Sequence, residues 1–170
     1  LQRLAEVRLA RGDRAEAQRL LDRALPLARW SVIGMHLLQR IYGTMIAAAP
    51  DAVAARATVD RAEATLAETD ACPFCDVMLA VPAAVACARV GDVEDAERHL
   101  SVATASAARW EGSAWEAAVL EARAHVARAR GETSEFDRLI GEAARLFETA
   151  GQPRDAERCE HARQPVGSAS

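Results

Sequence analysis

A tight turn returns about every 40 residues along this chain, and that recurrence limits it to a small set of folds. The stretches ARGDRAEA at Gly12, RVGDVEDAERHL at Gly91 and ARGETSEFDRLI at Gly131 share one pattern, and AAPDAVAARATV puts Pro50 in the glycine's place. Successive turns are 38, 41 and 40 residues apart. The flanking positions agree too. Ala17, Ala55, Ala96 and Phe136 lie five residues past a turn, and Ala24, Ala62, Ala103 and Ala143 lie twelve past. Ala5, Gly43, Ala84 and Ala124 lie seven before one. Eleven of these twelve slots hold Ala or Gly, while Leu21, Val59, Leu100 and Ile140 share a large aliphatic slot nine past the turn. The unit this describes is a helix, a tight turn and a second helix. Glycine supplies the turn's dihedrals without steric cost. Small residues let the paired helices approach, and the aliphatic slot fills the space beside them. One such hairpin cannot bury its apolar face alone, so several must stack.

Composition supports the helical reading. Apolar residues make up 51% of the 170, yet aromatics only 4%, so alanine, the strongest helix former, carries much of the apolar content. Runs of β-branched and aromatic residues typical of strands are missing. The chain therefore reads as all-α, with helices expected at about 1–11, 14–29, 32–48, 52–69, 76–90, 93–109, 113–130 and 133–149. A ninth, in GQPRDAERCEHAR, would start near Pro153 and cap the last hairpin. One repeat domain is expected over 1–163, with a disordered tail over 164–170. Pro82 conflicts with the fifth helix, since it removes a hydrogen bond at a cost of about 3 kcal/mol. Either that helix kinks, which is favoured, or it begins near Val81.

Charge narrows the partners. All 21 basic residues are arginine, the net charge is -4 and the pI about 5.6, with acids and arginines interleaved. Nucleic-acid binders instead carry a basic stripe and a high pI, so no direct nucleic-acid contact is expected. The longest apolar run, Val77 to Ala88, is too short for a membrane span and contains Pro82. A cytoplasmic location with reduced cysteines is expected. The chain begins at Leu1, directly in helical pattern, as a piece of a longer protein would.

The small slot before the turn, the glycine, and the small, large and small slots after it resemble the tetratricopeptide repeat over roughly residues 1–149. That resemblance implies a right-handed α-solenoid of four hairpins, plus the capping helix, with a concave peptide-binding groove lined by the first helix of each hairpin. Two departures stand out. The period is about 40 rather than the family's usual 34. Gln39, Ala80 and Leu120 stand where the family often has tryptophan. WEGSAWEAAVLEARAHVARARGE and LFETAGQPRDAERC further resemble the helical-repeat region of actinobacterial LuxR-type and ATPase-containing transcriptional regulators. Those regulators carry ATP- and DNA-binding parts. This chain has no Gly-x-x-x-x-Gly-Lys loop, and no lysine to make one.

Mapped onto the groove, the resemblance nominates Leu37, Arg40 and Thr44 from the second unit. The third contributes Met78, Val81, Val85 and Arg89, and the fourth Glu121, His125 and Arg128. Glu121, His125 and Arg128 follow helical spacing along one face, as a solvated ion pair or an acid-base pair would. No nucleophile completes a catalytic set, so an enzyme is not expected. Trp30 and Trp110 close like-placed helices and read as packing plugs, while an exposed Trp115 would suit a partner anchor. Cys87 reads as a small core residue. His36 and His99 have no ligand-spaced partner in the sequence. Cys159 and His161 would complete a zinc-like set with Cys72 and Cys75, but two repeat units separate the pairs. The segment DACPFCD itself falls at the connection between the second and third hairpins. There Cys72 and Cys75 read as structural thiols, a reversible disulfide or half of a metal site, with Phe74 as a plug the fold would miss most. The expected function is a non-enzymatic module for a protein or peptide partner, with a homodimer one form this could take. It needs no cofactor or metal. The alternative is a ligand- or redox-sensing domain built on the Cys-x-x-Cys joint.

Overall fold

The computed structural model describes residues 1–69 and 72–163, and among them the chain is all-helical. The expected tail at 164–170 lies outside the described residues. The helices are α1 (Gln2–Ala10), α2 (Arg14–Arg29), α3 (Gly34–Ala48), α4 (Ala52–Leu66), α5 (Val77–Arg89), α6 (Val93–Ala107), α7 (Trp115–Ala129), α8 (Thr133–Thr149) and α9 (Pro153–Arg163). None is long and apolar enough to cross a membrane.

One turn geometry recurs. Gly12, Gly91, Gly131 and Gly151 all sit at φ between 70° and 81°, a region other L-residues avoid. In each turn the glycine N–H reaches back three residues and the next N–H reaches back five, as in Asp13 to Arg8, Asp92 to Cys87, Glu132 to Ala127 and Gln152 to Phe147. This double bond satisfies carbonyls orphaned at the helix end. In two of these turns the residue after glycine also starts the next helix: the Asp13 and Asp92 carboxylates accept from the N–H three residues on. One aspartate thus helps close one helix and opens the next.

Each helix packs on its successor, and the odd-numbered helices also touch in series: α1 on α3, α3 on α5 and α5 on α7. All twelve small slots are buried, Phe136 included, and Leu21, Val59 and Ile140 are fully enclosed. The closest approach explains both Gly43 and Pro82. α5 runs through Pro82 rather than starting at Val81. Lacking an N–H, Pro82 leaves the Met78 carbonyl without its helical donor. Gly43 of α3 presses on that carbonyl, where a Cβ would lie 2.0 Å from the oxygen. The proline's cost and the glycine's permissiveness therefore belong to one contact.

Several polar contacts between helices join residues that lie 33 to 39 positions apart, a little short of the turn spacing. Glu97–Arg130, Glu63–Arg98, Phe74–Trp110, Gln39–Asp76, Glu121–Arg158 and His36–Cys75 are separated by 33, 35, 36, 37, 37 and 39 residues. A longer link joins the ends: Arg154 at the start of α9 donates to the Ala10 carbonyl of α1 at 3.1 Å.

Candidate functional site

The joint between α4 and α5 gathers more chemistry than the sequence suggests. The Cys72 carbonyl accepts the N–H groups of Cys75 and Asp76, so the Cys-Pro-Phe-Cys turn folds back on itself. Its two thiols end 3.2 Å apart. Gly34 lets α3 start hard against the end of α2, where a Cβ would fall 2.6 Å from the Ala28 carbonyl. From that start His36 reaches the joint, and its Nδ1 lies 2.8 Å from Cys75 Sγ. One turn along α3, Gln39 Nε2 donates to Asp76 Oδ1 at 2.8 Å. Asp76 precedes the first residue of α5 but does not cap it; Ser106 Oγ, from α6, instead accepts the Val77 N–H at 3.0 Å. That substitution leaves the Asp76 carboxylate to Gln39, whose own Oε1 is buried without a hydrogen-bond partner.

Cys72 is buried, and Cys75 and His36 are half-buried. Burial, the neighbouring Cys72 thiol and the Asp76 carboxylate push the Cys75 thiol up to about 12, with Arg40 opposing. A thiol held protonated at neutral pH is a poor nucleophile. Phe74 corrects an expectation: it is 54% exposed rather than a buried plug. It instead forms a platform for Trp110, ring edge to face at 6.2 Å, and its carbonyl accepts the indole N–H at 2.7 Å.

The predicted groove splits into two parts. On α3 and α5, Arg40, Met78 and Val85 are partly exposed and Arg89 is exposed. Among the described residues neither Arg40 nor Arg89 makes a side-chain hydrogen bond or ion pair. Thr44 does not share this availability: buried, it donates to the Arg40 carbonyl and accepts from Gln2 at 2.8 Å. At the α7 end the three side chains all meet neighbouring helices, with Glu121 buried, His125 partly buried and Arg128 exposed. Glu121 is buried and accepts two bonds from Arg158 of α9, at 2.8 and 2.6 Å. Arg128 stacks 3.5 Å over the Phe136 ring and donates to the Ala162 carbonyl at 2.6 Å, near the end of α9. His125 packs edge-on against the same ring. Burial, then the charges of Arg89, Arg128 and Arg158, hold its imidazole down at about 4.

Other candidates resolve simply. Trp30 is 92% exposed and Trp110 is 38% exposed, so neither is a buried plug, and Trp115 is partly buried against the core. Cys87 is a core residue, and Asp92 and Asp95 beside it are paired with Arg56. Cys159 is buried and His161 exposed, and they do not join Cys72 and Cys75 among the described residues. An open cleft of about 620 Å³ lies between α6, α7 and α8, with Arg130 and Glu97 paired across it.

His36 is the residue the sequence reading passed over. No local spacing marks it. The usable signal is the turn spacing: His36 precedes Cys75 by 39 residues, close to the distance between successive turns. No protein-family model, curated protein or solved structure matches the chain.

Proposed function

We propose that the chain is a non-enzymatic interaction module that holds an acidic segment of a protein partner against α3 and α5. In this reading the helices form a right-handed solenoid of four tetratricopeptide-like hairpins capped by α9, within a bacterial transcriptional regulator acting in the cytoplasm. The recurring glycine turn, the buried small slots and the polar contacts 33 to 39 residues apart support the repeat. One observation carries the ligand class: Arg40 of α3 and Arg89 of α5 have no acidic partner among the described residues, and Met78 and Val85 of α5 are partly exposed. Guanidinium forks grip carboxylates, and the apolar pair accepts an aliphatic side chain. A stack that already holds these groups in place spends little ordering entropy on association.

The test is a peptide array probed with the purified chain. Peptides combining Asp or Glu with Leu or Ile should be enriched, with binding that weakens as salt rises. Enrichment of basic or purely apolar peptides would refute the ligand class.

The joint favours a second reading, a redox sensor, because Cys72 and Cys75 stand 3.2 Å apart. With hydrogen peroxide as oxidant, the two thiols would form one disulfide and the peroxide would leave as two waters. If oxidised and reduced chains melt alike and bind the selected peptide alike, that reading is lost.

A further inference from the structure

We infer that His36, Cys72 and Cys75 form a binding site for a single divalent zinc ion. Their donor atoms, His36 Nδ1 and the two sulfurs, all lie within 4.8 Å of one another. They come from two elements that the fold brings together, α3 and the α4–α5 joint. Bound zinc holds thiolates at about 2.3 Å and imidazole nitrogens at about 2.0 Å, so its tetrahedral ligands stand roughly 3.6–3.8 Å apart. Here the sulfur–sulfur and nitrogen–sulfur separations are 3.2 and 2.8 Å. A spread of less than about 1 Å, within reach of small side-chain rotations, replaces two direct contacts with three metal bonds.

The surroundings suit a cation. Asp76 adds a carboxylate next to Cys75, anchored by Gln39. The Gln39 Oε1, buried without a partner on the helical turn after His36, is a polar atom that the protein alone leaves unsatisfied. An outer carboxylate such as Asp76 orients metal ligands and tunes their basicity. Binding is balanced simply: Zn²⁺ joins two thiols and one neutral imidazole, and two protons leave. The ligand set leaves a fourth position for water. Catalysis does not follow from that, and the ion's evident effect is to clamp α3 to the start of α5. This inference is independent of the acidic-segment reading, since neither Arg40 nor Arg89 is a ligand.

The experiment titrates the reduced chain with Co²⁺ and then displaces it with Zn²⁺. One cobalt per chain should bind, with a thiolate charge-transfer band and the visible bands of a tetrahedral ion. Cys72→Ser should at least halve the charge-transfer signal, leaving only the Cys75 thiolate to carry it, and His36→Gln should weaken binding about 100-fold. Because a variant could misfold, the wild-type chain is also alkylated with and without Zn²⁺. The metal should protect Cys72 and Cys75 in mapped peptides. Absence of cobalt binding overturns the site. So does unprotected alkylation, or wild-type affinity in a His36→Gln chain whose helical signal is intact.

Discussion

The α3–α5 and α7 parts of the predicted groove carry similar residues and meet different fates. Arg40, Met78 and Arg89 make no polar side-chain contact among the described residues, whereas Glu121, His125 and Arg128 are engaged by α8 and α9, Arg128 while still exposed. α9 is the reason. It supplies Arg158 to Glu121 and the Ala162 carbonyl to Arg128, while Phe136 of α8 fills the space beneath. A position in a repeat therefore fixes which way a side chain points. The neighbouring helix decides whether that side chain is left for a ligand. The two like-placed tryptophans teach the same lesson. Trp110 finds Phe74 on the preceding joint, whereas Trp30 is 92% exposed.

The largest expected effect lies at the α7 end. Phe136→Ala removes the ring on which Arg128 and His125 rest and should cost about 3–5 kcal/mol in urea unfolding. A loss below about 1 kcal/mol would mean that this end is as open as the α3–α5 face.

Acid should find the same end next. His125 is held at about 4 in the fold against 6.5 in the unfolded chain, so the unfolded state takes the proton first. Its contribution is complete above about pH 6.5 and is lost as pH falls toward 4, amounting to about 3 kcal/mol. His125→Gln should remove that share of the acid dependence. Parallel stability–pH curves for variant and wild type would show that the imidazole is solvated after all.

Much of the fold was legible because its signals are local. Gly12, Gly91 and Gly131 each open a turn whose dihedrals only glycine adopts cheaply, and the alanines around them mark buried faces. The site was less legible because its contacts join residues up to 39 positions apart. Cys72 and Cys75 announce themselves, but His36 joins them only through the stacking of α3 on the next joint. Ser106 capping α5 from α6 is likewise invisible in sequence, since no local pattern ties a serine to an amide 29 residues away. Phe74, Trp30 and Trp110 are all exposed rather than buried plugs, for one reason. A large ring at a joint is buried only if a neighbour covers it.

The tryptophans give a smaller test. Trp110→Ala loses an edge-to-face contact and a hydrogen bond, for about 1–2 kcal/mol. Trp30→Ala should change stability by less than about 0.5 kcal/mol. Equal losses would erase the distinction between the two joints.

The most direct test of the binding account is calorimetric titration of an array-selected acidic peptide into wild-type chain and Arg89→Glu. Arg89 is exposed and unpaired among the described residues, so its reversal should leave the melting temperature nearly unchanged. The account predicts affinity at least about tenfold weaker, equal to about 1.4 kcal/mol. Unchanged affinity in a folded Arg89→Glu chain would contradict it.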